Sequence, residues 1–186
     1  MLYFNYLGII FGASELLLLI LKRSKKSGIK ASNDGRSLPF LWIIITVCII
    51  TGNLLAKRQL WGAVNSTITQ TAGITIVVVG FIIRWITIIQ LGTMFTVDVA
   101  ISNSHVLKTN GMYQLVRHPS YLGLMLIITG LAVLLNNWLS FIIIVIPIFI
   151  ALNYRMLVEE KALTGEFGDQ YLGYMQKVKR IIPFIY

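Results

Sequence analysis

Apolar residues fall in five runs that reach or approach the roughly 20 residues needed to cross a bilayer as a helix. They cover residues 2–21, 39–56, 71–91, 119–135 and 138–158. None shows the polar–apolar alternation of a transmembrane barrel strand, so each predicts a helix. The fourth run is short, and only Asn136-Asn137 separates it from the fifth. That break predicts a tight helical hairpin. After residue 158 the pattern changes: Leu163, Phe167, Tyr171, Tyr174 and Val178 recur every three or four positions, with charged residues between them. This spacing predicts an amphipathic helical tail along the membrane surface or against the bundle. Gly165 and Gly168 are its candidate breaks. The predicted fold is all-α: an integral membrane bundle of about five transmembrane helices with an amphipathic C-terminal segment. Residues 1–70 form an N-terminal two-span region and residues 71–186 the remaining core.

Composition sharpens this reading. Of 186 residues, 56% are hydrophobic and only 12% charged. A soluble domain carries about 25% charged residues, so too few exist here to coat a globule. The net charge of +9 raises nucleic acid as a partner, but the placement of the cations argues against it. Segments 22–38, 92–118 and 155–186 hold six, two and five Lys or Arg, whereas the intervening loops hold only Lys57 and Arg58. Such asymmetry sets topology, and here it predicts the N-terminus outside and the C-terminus inside. Membrane lipids, not nucleic acid, are the expected charged partners. Cys48 is the only cysteine and excludes an intrachain disulfide.

Two charges interrupt the apolar runs. Glu15 lies six residues before Leu21, and Arg84 seven before Leu91. Both spans run outside to inside, so both charges sit about 10 Å from the inner end at 1.5 Å per residue. A charge at the bilayer centre costs about 2.5–3.5 kcal/mol on insertion scales, which favours pairing within the bundle. Glu15 and Arg84 are therefore expected to pair, or Arg84 to face a polar cavity. The alternative is that each snorkels separately to the headgroups. Gly8 and Gly12 form a GxxxG pattern that permits close helix approach.

The remaining polar residues cluster in two stretches that bracket the hairpin. Residues 105–121 read HVLKTNGMYQLVRHPSY, and residues 154–174 read YRMLVEEKALTGEFGDQYLGY. A hairpin returns the chain to its starting side, so Arg117, His118 and Tyr121 are expected near Arg155, Glu159 and Glu160. Pro119 suits the first turn of a helix, where its missing N–H costs nothing. The residues before it then stand at a helix N-terminus, whose free N–H groups favour an anion. Arg155 and Glu159, four apart, share a helix face. The result is a cationic centre beside an acidic one at the membrane rim. Taken singly, an Arg-His pair anchors headgroups and Glu-Glu-Lys opens a solvated helix; joined across one hairpin, they make a site. The glycines form neither GxGxxG nor GxxxxGK[ST], and His105 and His118 have no metal-ligand spacing. No metal is expected.

The string Gly111-x-Tyr113-x-x-x-Arg117-His118-Pro119-Ser120-Tyr121-x-Gly123 resembles the isoprenylcysteine carboxyl methyltransferase family. So do Arg155-x-x-x-Glu159-Glu160, Phe167-Gly168-x-x-Tyr171-x-x-Tyr174 and Val178-x-Arg180-x-x-Pro183-Phe184, with Arg84 and Leu91-Gly92-x-x-Phe95 upstream. The resemblance implies an integral membrane enzyme that moves a methyl group from S-adenosylmethionine to a lipophilic acceptor, such as the carboxylate of an isoprenylcysteine. It implies that the last helices and the C-terminal segment hold the cofactor. His105, Val106, Leu107, Lys108, Tyr113, His118, Pro119, Ser120, Tyr121 and Glu159 match cofactor-binding positions, and Arg155 matches a catalytic one on the acceptor side. The acceptor is expected to enter from the bilayer and the active site to face the cytoplasm. Asp98 stands where eukaryotic members tend to have Gln, and Lys108 is unusual at an apolar position.

Other readings stay open on the residues alone. The acceptor could be a phospholipid amine or another small lipophile. A membrane reductase of similar architecture would use NADPH instead, although a phosphorylated dinucleotide calls for more basic residues than this rim offers. A small cation transporter would centre on Glu15 and would not need residues 117–121.

Overall fold

In hydrocarbon every backbone N–H and C=O must be paired within the protein, and a helix does this within its own segment. The apolar runs obey that rule in the computed structural model, which describes residues 2–22, 29–32, 36–58, 62–63, 67–97, 100–102, 106–183 and 185–186. The elements are α1 (Leu2–Leu21), β1 (Ile29–Ser32), α2 (Ser37–Lys57), α3 (Thr67–Leu91), β2 (Ala100–Ser102), α4 (Pro119–Leu134), α5 (Trp138–Phe167) and α6 (Asp169–Lys177). Among the described residues, α1, α2, α3 and α5 are long and apolar enough to cross a membrane, and α4 is a shorter apolar helix. The protein is a multi-pass membrane protein.

Two features depart from the sequence expectation. The fold is helical but not wholly so, because β1 and β2 pair antiparallel. Pieces of four and three residues are too short to leave a periodic signature. Helix α5 also continues to Phe167 instead of ending near residue 158. Its 30 residues span about 45 Å at 1.5 Å per residue, against a hydrocarbon core of about 30 Å. Its last turns therefore project past the apolar region and carry Arg155, Glu159 and Glu160 to the rim. Gly165 stays inside the helix, and Gly168, at φ 52°, makes the break before α6.

The hairpin of α4 and α5 forms as the Asn-Asn break predicts. Asn136 adopts φ 52°, a left-handed conformation that Asn tolerates. The Asn137 side chain caps α5 by accepting from Ser140 N at 2.8 Å. Helices pack as α3 on α4, α2 on α5, α4 on α5 and α1 on α4. The α3–α4 contact is glycine-lined: a Cβ on Gly80 would lie 2.7 Å from Ile127 N, and one on Gly123 2.7 Å from Arg84 N. Close approach thus occurs here, whereas a Cβ on Gly8 or Gly12 would meet nothing within 4 Å. The apolar core joins α1, α2, α4 and α5 through Phe11, Leu41, Ile45, Ile127, Ile148 and Leu152.

The intramembrane charges pair. Arg84 Nε donates to Glu15 Oε1 at 2.5 Å, and Nη2 donates to Oε2 at 2.6 Å. The remaining arm, Nη1, donates to Ser120 O at 3.1 Å and Ser120 Oγ at 3.0 Å. One guanidinium therefore ties α1 and α3 to the first turn of α4.

Candidate active site

Pro119 occupies the first turn of α4 and His118, at φ −122° and ψ 60°, is its N-cap, so the N–H groups of residues 117 and 118 fall outside the helix's own hydrogen bonds. The C-terminal tail captures both. Arg117 N donates to Lys179 O at 2.7 Å, and His118 N to Arg180 O at 2.9 Å. The Arg117 side chain reinforces this by donating from Nη1 to the carbonyls of Met175 and Val178. Tyr174 of α6 donates from its hydroxyl to Tyr113 O at 2.5 Å. The start of α4 and the tail after α5 thus form one assembly at the end of the hairpin.

The paired glutamates divide their work. Glu160 is buried and turned into this assembly. It accepts from Arg117 Nη2 at 2.8 Å and from Arg180 Nη2 at 2.8 Å, and His118 Nε2 lies 3.2 Å from Oε1. Glu159, with a side chain 32% exposed, faces the cavity instead. Its Oε2 accepts from the Tyr121 hydroxyl at 2.7 Å. Tyr121 in turn accepts from Arg155 Nε at 3.0 Å. The Arg155 guanidinium is further oriented by Ser37 Oγ at 2.8 Å from Nη1 and by the Val97 carbonyl at Nη2. Cation, phenol and carboxylate form a continuous line across α5 and α4, with α2 holding the cationic end.

These groups line one cavity of about 130 Å³. Val106, Leu107, Lys108, Tyr113, His118, Ser120, Tyr121, Glu159 and Arg155 all border it, so the structure brings these sequence-predicted residues together. Pro119 is buried and sets the helix start without bordering the cavity. His105 and Asp98 lie outside the described residues. Glu15 and Arg84 border the same cavity, so their pairing and the polar-cavity expectation both hold. Leu38, Leu41 and Trp42 of α2 supply an apolar wall.

Sequence reasoning left several residues without a role. Glu160 and Arg180 bind the tail to the rim. Tyr171 of α6 is 1% exposed and borders the cavity, and its hydroxyl has no hydrogen-bond partner. Burial, then Glu160 and Glu159, push this phenol well above its usual range, so it remains protonated. Burial likewise raises Tyr113. The available signal was the three-residue spacing of Tyr171 and Tyr174, which apolar packing explains equally well.

Comparisons with known proteins point to one family. Residues 73–165 match the model of the isoprenylcysteine carboxyl methyltransferase (ICMT) family. Protein-S-isoprenylcysteine O-methyltransferases A and B of Arabidopsis thaliana are each 36% identical over 115 residues, which is 61% of this chain and 58% of each relative. The chain thus spans less than two thirds of the curated relatives it matches. The solved structure of the eukaryotic intramembrane Ras methyltransferase ICMT superposes with a TM-score of 0.64 at 27% identity, covering 77% of this chain and 52% of that one. With the family match spanning half its residues and including the Tyr121, Arg155 and Glu159 line, the chain belongs to the isoprenylcysteine carboxyl methyltransferase family.

Proposed function

We propose that this protein is an integral membrane methyltransferase that uses S-adenosylmethionine to methylate the carboxylate of a lipophilic, isoprenylcysteine-like acceptor. The observation that carries the reading is the Tyr121 hydroxyl, which joins Arg155 to Glu159 on the wall of one cavity. A fixed cation beside a fixed carboxylate suits two substrates of opposite need, an anionic acceptor and a cationic methyl donor.

The residues suit the cofactor on their own chemistry. Glu159 offers a partly exposed carboxylate to ammonium or hydroxyl donors, and Tyr171 offers a buried hydroxyl with no partner. Leaving such a group unsatisfied costs about 1–3 kcal/mol, which a bound polar ligand would relieve. Lys108, Tyr113, His118, Ser120 and Tyr121 would complete the cofactor side, with residues 105–107 as the adjoining strip. When bound, S-adenosylmethionine supplies an electrophilic methyl on a sulfonium, so no covalent protein intermediate is needed.

What the chain must supply is alignment and exclusion of water. Arg155, held by Tyr121 and Ser37, orients the acceptor carboxylate by a charge-assisted contact. With the methyl donor held opposite by Glu159 and the other cofactor-side residues, that carboxylate would be placed to receive the methyl group, and the charges of both substrates would be neutralised. Leu38, Leu41 and Leu124 give the acceptor tail an apolar passage from the bilayer. The cation distribution supports an N-out, C-in topology with this site on the cytoplasmic side. In this reading residues 71–186 carry the cofactor machinery and residues 1–70 form the two-span membrane region.

Calorimetric titration of the detergent-solubilised protein with S-adenosylhomocysteine, beside NADPH, tests the reading. Binding of the first and not the second is expected. Binding of NADPH alone would replace methyl transfer by reduction.

A further inference from the structure

Among the described residues, four buried side-chain polar atoms lack a hydrogen-bond partner: Ser14 Oγ, Trp42 Nε1, Asn53 Oδ1 and Tyr171 Oη. Only Trp42 and Tyr171 of these four border the cavity. Tyr171 stands with Glu159 and Glu160 on the cofactor side. Trp42 takes no part in the line of Arg155, Tyr121 and Glu159. It belongs to α2, outside the stretch 73–165 matched by the family model. Its ring packs on Phe11 of α1 with centroids 6.5 Å apart, which fixes the indole against the bundle.

The chemistry of the missing partner is narrow. An indole nitrogen only donates, so the partner must offer a lone pair. The nearby wall offers none, being built from Leu38 and Leu41. Both oxygens of Glu15 accept from Arg84, and Glu159, which accepts from Tyr121 through Oε2, serves the methyl donor in the reading above. The acceptor's own carboxylate belongs with Arg155. That arginine is held at Ser37, and Trp42 lies five residues further along the same helix, about 7.5 Å at 1.5 Å per residue. Arg155 and Trp42 border the same cavity, so an acceptor held at Arg155 can present a second polar atom to Trp42. In an apolar wall a neutral oxygen is far less costly to bury than a charged one, and a carbonyl is the strong neutral acceptor.

We infer that Trp42 is a specificity-determining residue whose indole N–H donates to a neutral carbonyl oxygen on the methyl acceptor, selecting a lipophilic acid with an amide-bearing head over one without it. The inference rests on the methyltransferase reading, which places the acceptor in this cavity.

The test compares two acids that share one prenyl thioether chain. N-Acetyl-S-farnesylcysteine carries an amide carbonyl beside its carboxylate; S-farnesyl-3-mercaptopropionate lacks it. Methyl transfer from labelled S-adenosylmethionine is measured for each with the full chain in lipid nanodiscs. The wild-type protein should favour the amide acid by about tenfold in kcat/KM, the scale of one neutral hydrogen bond. Trp42→Phe should bring that ratio close to one by losing rate on the amide acid alone, with S-adenosylhomocysteine affinity unchanged. A wild-type ratio near one overturns the inference whether or not the variant folds, and so does a ratio that survives Trp42→Phe. In either case methylation of the two acids leaves the methyltransferase reading standing. Binding of S-adenosylhomocysteine without methylation of either acid ends the inference and the choice of acceptor together. Absence of S-adenosylhomocysteine binding ends the methyltransferase reading itself.

Discussion

The hydroxyl of Tyr121 donates to Glu159 Oε2 at 2.7 Å while it accepts from Arg155 Nε at 3.0 Å. One phenol oxygen therefore sets the spacing between the acidic and cationic centres. Tyr121→Phe keeps the ring and removes the link. We expect kcat/KM to fall about tenfold to a hundredfold, the scale of hydrogen bonds to charged groups. Thermal unfolding should move by only a few degrees. A variant with unchanged kinetics would show that the centres do not act through this phenol.

Glu159 and Glu160 are adjacent and should fail differently. Glu160→Ala leaves Arg117 and Arg180 beside an empty position at the rim. Breaking a buried pair costs about 3–5 kcal/mol, so the unfolding midpoint should drop markedly. Glu159, a third exposed and bonded to Tyr121, should cost little stability when replaced by Ala. Its loss should instead weaken S-adenosylhomocysteine binding. Thermal scans with and without that ligand separate the two effects, and identical behaviour of the two variants would refute the division of labour.

The bidentate pair of Arg84 and Glu15 permits a charge-swap measurement. Each single change, Glu15→Arg or Arg84→Glu, places two like charges where the bundle holds opposite ones. The double variant restores attraction, although Arg84 would lose its bonds to Ser120. Yield of folded protein after detergent extraction should rank wild type first, the double variant second and both single variants last. A double variant no better than the single ones contradicts a pairwise role.

Tyr174 gives a pH dependence of definite sign. Burial pushes its phenol from 10.0 up to about 12, with Arg117 opposing the rise. The folded pKa lies above the unfolded one, so the associated stability is fully present below pH 10 and is lost as pH rises towards about 12. Denaturant midpoints measured across that window should fall, and should fall less in Tyr174→Phe. That variant should also be less stable at neutral pH, because its hydroxyl bond to the Tyr113 carbonyl is gone.

The spans were legible because continuous apolar runs admit few alternatives in hydrocarbon, and the hairpin was legible because Asn136-Asn137 interrupts one. The meeting of Tyr121, Arg155 and Glu159 followed from that hairpin. What escaped has local causes. Adjacent residues on a helix differ by about 100°, so sequence could group Glu159 with Glu160 but not say which faces the cavity. Gly73 and Gly80 of α3, and Gly123 and Gly130 of α4, form two pairs each seven apart that line the α3–α4 contact, yet GxxxG drew attention to Gly8 and Gly12. Trp42 carries no pattern of its own and Tyr171 fits the amphipathic repeat of the tail, so only the structure shows that their polar atoms lack partners. The tail's capture of Arg117 and His118 runs through backbone atoms, which side-chain patterns do not report.

Helix α5 is unbroken from Trp138 to Phe167, and 21 residues separate Trp138 from Glu159, about 31 Å at 1.5 Å per residue. One continuous helix, with Pro147 inside it, therefore gauges the thickness of its host membrane. Where the hydrocarbon slab matches that length, Glu159 rests in the polar interface; a thicker slab draws the carboxylate into hydrocarbon unless the helix straightens or the lipids thin around it. Hydrophobic mismatch then acts directly on the chemistry, so turnover in vesicles of graded acyl length should peak near the matched thickness and decline on the thicker side.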